Sequence, residues 1–295
     1  MPPVTTFLTT WGWDTAGMIF VAVAGAGYAA GMVMARRRAH RWPVWNTLAF
    51  FGLGLGSYAW VSFGFLGYYS QDLRWAFTTR IALLLFAVPV LISFGKPVAL
   101  ARLALSGRPL RMLNGFLDSR FMSVLGNAVF EPIFTLALFL VFLTPLAGTL
   151  RLSPPAQTGI SILIPVIGLL MVVPIMENLG EHSGFFISFE FMLSFAALVF
   201  DAIPGIVLRL NGHVLDLVAP LAGNLPAWWP NTLHDQHLSG DFLWFLAEIT
   251  DIPVLIVLFI RWSKLDRHDA QSMDELSDEE MEALTQAHLR GEGRA

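Results

Sequence analysis

Cysteine does not occur in this chain of 295 residues. Its absence excludes disulfide bonds, thiolate metal sites, iron–sulfur ligation and catalysis by a thiol. A soft metal ion would therefore have to bind through histidine or methionine side chains.

Charged residues are scarce as well. They make up 14% of the chain, whereas hydrophobic residues make up 55%, and a soluble domain carries about 25% charged residues. The formal net charge of -4 arises mainly from an acidic tail over residues 266–295. These features exclude a soluble domain and give no support to nucleic-acid binding.

Long apolar stretches fill most of the remaining sequence. A helix needs roughly 20 apolar residues to cross the hydrocarbon core of a bilayer. The candidate segments are Ala16 to Met34, Val44 to Leu66, Trp75 to Phe94, Val124 to Leu146, Thr158 to Met176, Phe185 to Leu208 and Phe242 to Ile260. The sequence therefore predicts an all-α polytopic membrane protein, with seven transmembrane helices in residues 1–265 and a cytoplasmic acidic tail over residues 266–295.

Basic residues near the segment ends predict the orientation. Lysine and arginine are enriched in cytoplasmic connections. The basic residues of the first and third connections are Arg36, Arg37, Arg38 and Arg41, then Lys96, Arg102, Arg108, Arg111 and Arg120. We expect both connections on the cytoplasmic side, the N-terminus outside and the C-terminus inside, in the plasma membrane and most simply a bacterial inner membrane. The third connection alternates apolar and basic residues and is expected to lie along the membrane surface.

Ionisable residues inside apolar segments are costly and point to function or internal pairing. They are Arg80, Glu131, Glu190, Asp201, Glu248 and Asp251. At a rise of about 1.5 Å per residue, Arg80, Asp201 and Glu248 reach similar depths in the outer leaflet, and Asp251 lies deepest. We favour a structural ion pair of Arg80 with Asp201 or Glu248 over a transport path, because the helices below this cluster are purely apolar.

Two histidines form the best candidate metal site. His234 and His237 are spaced to share one face of a helix, with Asp235 beside them, in a segment expected outside the membrane. The pattern His-x-x-His is a weak signal for a metal site when it stands alone.

Several short motifs occur along the chain. They are WGWDTAG near the start, Tyr28 with Gly31, Trp42 with Pro43, FFGLGLG, and PVLISFGKPVAL with Pro89, Gly95 and Pro97. Near the end stand Asp235, Gln236, Gly240 and Trp244, followed by the acidic Glu248. Together these motifs resemble the seven-helix cytochrome c oxidase assembly factor family of the CtaG type, and the resemblance extends from about Trp11 to Arg267.

This resemblance implies a part in supplying or inserting copper during oxidase maturation. The family's metal-binding histidines, however, fall on Phe77, Ile81 and Leu143 in this sequence, and none of these can bind copper. Arg80 stands beside two of the lost positions, so we expect a cluster of arginine and carboxylates in the emptied pocket. The copper site is therefore predicted to be degenerate.

Three functions remain open at this point. The resemblance favours an oxidase assembly factor that acts through contacts with oxidase subunits in the bilayer, with copper binding at His234 and His237 as a further possibility. The alternatives are a copper or small-solute transporter and an accessory structural subunit of a respiratory complex. An enzyme is not expected, since neither a Ser, His and Asp set nor a phosphate loop or nucleotide fingerprint appears in a favourable context.

Overall fold

A computed structural model describes residues 3–125, 130–177, 184–216 and 225–274, with the backbone alone for parts of the last helices. These residues form helices, and none of them forms a β-strand. The first helices are α1 (Val4–Thr9), α2 (Thr15–Arg37), α3 (Val44–Leu48), α4 (Gly56–Phe63), α5 (Phe65–Tyr68), α6 (Arg74–Ala82), α7 (Val88–Ser93) and α8 (Pro97–Ala104). They are followed by α9 (Arg108–Leu117), α10 (Arg120–Leu125), α11 (Phe130–Val141), α12 (Leu146–Leu152), α13 (Pro154–Glu177), α14 (Gly184–Leu210) and α15 (Thr232–Asp274). Two π-helical segments, π1 (Ala49–Leu55) and π2 (Leu83–Ala87), continue α3 into α4 and α6 into α7.

Within the described ranges, four helical stretches are long and apolar enough to cross a membrane. They are Thr15–Arg37, Val44–Tyr68, Arg74–Ser93 and Pro154–Val173. They coincide with the first, second, third and fifth predicted segments. In the region of the fourth segment the chain bends by 79° between Pro132–Val141 and Leu146–Leu152, and this pair is a fifth candidate span.

The sixth and seventh predicted segments lie within α14 and α15. Many side chains of these two helices are outside the described part of the structure. The chain is thus an α-helical protein with several helices long and apolar enough to span a membrane, while the count of seven crossings and the orientation of the termini stay predictions. Residues 275–295 of the acidic tail also lie outside the described residues.

Glycines let α14 and α15 cross at backbone contact. A Cβ atom added to Gly240 would lie 2.5 Å from the carbonyl oxygen of Gly205, and one added to Gly205 would lie 2.9 Å from the Cβ of Trp244. Small residues allow such close approach of membrane helices. This packing explains two of the family-motif positions near the end of the chain, Gly240 and Trp244.

A second close contact joins π1 with the turn after α7. A Cβ atom on Gly95 would lie 2.5 Å from the Cβ of Phe50. The Tyr28 hydroxyl donates to the Gly95 carbonyl at 2.8 Å and accepts from Trp42 Nε1 at 2.9 Å. Gly95 therefore holds α2, π1 and α7 together, which accounts for the motif residues Tyr28 and Trp42.

The same region positions Pro89 and Pro97. Pro97 opens α8, where a missing N–H costs nothing. Pro89 packs against α13, and a Cβ atom on Gly168 would lie 2.5 Å from the Pro89 ring. Both prolines thus serve the junction of α7, α8 and α13.

The first and third connections meet at one end of the bundle. Arg38 donates to the Leu105 carbonyl at 2.5 Å and to Ser106 Oγ at 2.6 Å. Beyond this contact, α9 exposes Met112 and Phe116. An amphipathic helix with exposed apolar and basic residues is typical of a membrane interface. We call this end, with Arg36, Arg37, Arg38 and Arg41, the exposed-arginine end.

Candidate functional site

Three buried arginines lie at the opposite end of the bundle, which we call the buried-arginine end. Arg74 is 2% exposed, and Arg80 and Arg151 are each 3% exposed. A buried charge is tolerated only with close partners, because its removal from water costs several kcal/mol. The partners of these arginines therefore define the site.

Arg80 pairs with Asp14, which precedes the first long helix. Arg80 Nη2 lies 3.1 Å from Asp14 Oδ2 and donates to Ser161 Oγ at 2.7 Å, while Nη1 donates to Gln157 Oε1 at 2.8 Å. The other Asp14 oxygen accepts the N–H of Gly17 at 3.1 Å and so caps α2. Asp14 thus serves two helices at once.

The predicted partners of Arg80 were wrong. Its acidic partner is Asp14 and not Asp201 or Glu248, because depth along a helix does not fix the direction in which a side chain points. Asp201 is buried on α14 and has an interaction of its own, and Glu248 is half-buried on α15. The side chain of Asp251 is not among those that the structure describes.

Asp235 caps a helix that begins far away in the sequence. Its carboxylate accepts the backbone N–H of Arg74 at 2.6 Å and of Trp75 at 3.1 Å. The N-cap position of α6 is Leu73, whose side chain cannot accept a hydrogen bond. A carboxylate at a helix N-terminus satisfies free N–H groups and complements the helix dipole. Asp235, on the first turn of α15, therefore fixes the start of α6.

Burial raises the pKa of Asp235 to about 6, and the two backbone N–H donors oppose this rise. The carboxylate is held by neutral donors and by the nearby charges of Arg151 and Arg74. Its task is therefore structural, since both oxygens are already engaged.

Gln236 is fully buried and joins three parts of the chain. Its Oε1 accepts from Arg74 Nη1 and from the N–H of Leu215, both at 2.8 Å. Its Nε2 donates to the carbonyl of His213 at 2.9 Å. Arg74 Nη2 also donates to the Phe142 carbonyl. The Asp-Gln pair of the resemblance is thus the junction of α6, α15 and the segment after α14.

Arg151 completes the network. Its Nη1 lies 2.6 Å from Asp216 Oδ2, and its Nη2 donates to the Gln71 and Asp72 carbonyls at 3.3 Å. Burial raises the pKa of Asp72, and the charge of Arg151 opposes this rise. Gln157 Nε2 donates to the Arg151 carbonyl at 3.2 Å, so the Arg151 and Arg80 groups are connected.

Sequence reasoning missed Arg74, Arg151 and Asp216 as members of this network. One signal was available, because an isolated arginine directly at the end of an apolar segment needs a partner.

A polar cavity of about 450 Å³ opens beside Asp14 and Arg80. Further residues lining it include Trp13, Ser62, Tyr68, Gln157 and Thr158. Trp13 is 82% exposed and Tyr68 is 51% exposed, so aromatic rings line its open side. Both Nη atoms of Arg80 are already hydrogen-bonded, and its charge is paired with that of Asp14. The cavity therefore has a polar lining in which the arginine charge is neutralised.

The predicted metal residues do not form one ligand group. Both carboxylate oxygens of Asp235 accept backbone N–H groups of α6, and His237 Nε2 lies 3.1 Å from the Asn211 carbonyl oxygen. His234 packs on Trp229, with ring centroids 5.4 Å apart. Among the residues that the structure describes, no three His, Asp or Glu side chains are grouped to hold a metal ion.

The three positions at which the family's histidines were predicted to be lost come together in the apolar core. Phe77 and Ile81 are buried on α6, and Leu143 packs against the same cluster. The rings of Phe77 and Phe142 meet edge to face, with centroids 6.0 Å apart. The predicted cluster of arginine and carboxylate in an emptied pocket was wrong, because Arg80 turns away from this core toward α2 and α13.

Comparison with known proteins agrees with the motifs. The family described as cytochrome c oxidase caa3 assembly factor (Caa3_CtaG) matches residues 26–265. Uncharacterized proteins Mb0105 of Mycobacterium bovis and MT0111 of Mycobacterium tuberculosis are each 29% identical to this chain, over 96% of it and 44% of their own length. Uncharacterized protein ML1998 of Mycobacterium leprae is 27% identical, over 94% of this chain and 43% of its own. The chain thus spans less than half the length of these relatives. No solved structure matches it.

Proposed function

Because the chain belongs to the cytochrome c oxidase caa3 assembly factor family, we propose that it assists oxidase maturation through contacts with oxidase subunits, without a copper ion at the family's histidine positions. We place it in the plasma membrane of a bacterium. In this role it makes no covalent change to a substrate and is not an enzyme.

The apolar core at Phe77, Ile81 and Leu143 carries this proposal. Copper(I) prefers thiolate, thioether or imidazole ligands, and these three side chains offer none. Phe77 is fully buried and in contact with Phe142. The residues do not fit a copper ion at this place, so we assign no step to one here.

The cavity at the buried-arginine end is the surface that we propose for the oxidase contact. The connected hydrogen bonds of Arg80, Gln157 and Arg151 hold its wall. Exposed aromatic side chains such as Trp13 and Tyr68 supply large contact area, and aromatic residues dominate the energetics of many protein interfaces.

The test is complementation of a strain that lacks the protein and carries a caa3-type oxidase. Assembled oxidase is measured from its haem spectrum and oxygen consumption, with and without added copper. We expect the wild type and His234→Ala/His237→Ala to restore assembly, and Trp13→Ala/Tyr68→Ala to fail. Trp45→Ala is the matched control, because Trp45 is 72% exposed at the exposed-arginine end, and it should restore assembly.

Two results would contradict the proposal. One is recovery of the deletion strain by added copper alone, which indicates copper supply. The other is failure of the histidine variant, which moves the copper role to His234 and His237.

A copper site at these histidines has one supporting observation. The Asn211 carbonyl can only accept a hydrogen bond, so the neutral His237 ring that donates to it from Nε2 has Nδ1 as the nitrogen able to bind copper. Copper(I) stoichiometry of the purified protein, compared with His234→Ala/His237→Ala, tests it. One tightly held ion that the double variant loses would assign copper binding to this segment.

A further inference from the structure

We propose that the groove between α2, α8 and α13 binds one anionic glycerophospholipid, with an acyl chain in the groove and the headgroup at the exposed arginines. This proposal is independent of the contact surface assigned to the oxidase, since it concerns the other end of the molecule.

The groove has the shape and chemistry of a site for a hydrocarbon chain. Its volume is about 490 Å³, and its lining includes Phe20, Gly27, Gly31, Met34, Leu100 and Ala104. From Phe20 to Met34 it follows α2 for about 21 Å at the helical rise per residue. A Cβ atom placed on Gly27 would meet no other atom within 4 Å. The groove is therefore open at Gly27.

The polar group nearest to the groove is already satisfied. Tyr28 lines the groove, but its hydroxyl donates to the Gly95 carbonyl and accepts from Trp42. The groove interior thus presents hydrocarbon and aromatic surface, which an acyl chain covers without leaving a polar atom unpaired.

The arginines at the end of α2 supply the complementary charge. Arg36 and Arg37 lie two and three residues after Met34 and are exposed. No aspartate or glutamate occurs between Asp14 and Asp72 or between Asp72 and Asp118. Of the helices that form the groove, α2 and α8 therefore carry no acidic residue that could neutralise these two arginines, while α13 carries one, Glu177, at its end.

This charge pattern favours a lipid over a helix of another protein. A phospholipid places its phosphate at the end of its acyl chains, and an arginine near an anionic surface strengthens binding about five-fold.

The test is lipid binding to the purified protein in detergent, measured by native mass spectrometry with phosphatidylglycerol and with phosphatidylcholine. We expect one phosphatidylglycerol to be retained by the wild type and phosphatidylcholine to be lost. Arg36→Gln/Arg37→Gln should weaken phosphatidylglycerol binding by roughly 25-fold, from two arginines at about five-fold each. Gly27→Leu should abolish the one-to-one complex.

Gly52→Leu is the matched control. Gly52 is also a helical glycine with no atom within 4 Å of an added Cβ, but it does not line the groove, so its variant should bind like the wild type. Equal retention of the two lipids by the wild type would overturn the proposal. Undiminished phosphatidylglycerol binding by Gly27→Leu would also overturn it. If Gly27→Leu does not fold, undiminished binding by Arg36→Gln/Arg37→Gln would overturn it instead.

Discussion

Arginines occupy both ends of this bundle, but in opposite surroundings. At one end Arg74, Arg80 and Arg151 are buried, and each is held by acidic, amide or carbonyl partners. At the other end Arg36, Arg37 and Arg41 are exposed, on a stretch of chain that contains no acidic residue. The same type of side chain therefore holds helices together at one end, whereas at the other end its charge is available to bind anionic groups of the membrane.

The strongest test of this contrast is Arg151→Leu. It leaves the Asp216 carboxylate buried without its cation, and breaking a buried pair in this way costs about 3–5 kcal/mol. We expect a large fall in thermal stability in detergent. Arg209→Leu is the control, because the Arg209–Asp241 pair is 50% and 43% exposed and such pairs contribute about 0–1 kcal/mol. Equal effects of the two variants would remove the distinction between buried and exposed arginines.

Gly240→Ala tests the close helix crossing beside the buried network. The added methyl carbon would lie 2.5 Å from the Gly205 carbonyl oxygen and 2.9 Å from the backbone nitrogen of Arg209. Both of these atoms belong to the backbone and cannot move easily. Overpacking of this kind costs about 1–3 kcal/mol, and we expect the upper part of this range in thermal unfolding. Gly27→Ala, in open space on α2, should instead stabilise the protein by about 0.5–1 kcal/mol. Destabilisation by Gly27→Ala would show that α2 is packed as tightly at Gly27 as α15 is at Gly240.

Asp235→Asn isolates the helix cap. The amide keeps one acceptor oxygen but turns an NH₂ group toward one of the two N–H donors of α6, and a buried unpaired polar group costs about 1–3 kcal/mol. We expect a loss of about 2 kcal/mol, with faster amide hydrogen exchange confined to the first turn of α6. Uniform exchange changes over the whole bundle would contradict a local capping role.

Arg36→Gln/Arg37→Gln should have the smallest effect on stability. These side chains are exposed, and surface substitutions of this kind stay within about 0.5 kcal/mol. Thermal unfolding of the variant should match that of the wild type, although its lipid binding falls. A loss comparable to that of Arg151→Leu would mean that the exposed end is also held by ion pairs.

The sequence predicted the helices better than the contacts between them. Apolar length alone located the spans that begin at Thr15, Arg74 and Pro154. The family resemblance identified Gly240 and Gly95 as positions of interest, although their close contacts became visible only in three dimensions. Length and hydropathy are properties of one segment, whereas a contact between two helices depends on how each helix is rotated about its own axis.

Asp14 shows why the site was harder to predict. It precedes the first long helix and caps it by accepting the N–H of Gly17. The same carboxylate also reaches Arg80, which lies 66 residues away along the chain. Nothing in the local pattern distinguishes Asp14 from Asp201 as a partner, since both lie at a suitable depth.

The cap on α6 also has a consequence for the order of synthesis. Arg74 lies 161 residues ahead of Asp235, the residue that accepts its backbone N–H. The ribosome therefore releases α6, and the helices that follow it, long before the carboxylate that completes the start of α6 exists. Until α15 emerges, Arg74 lacks its amide partner Gln236, so α15 stabilises helices that were translated long before it.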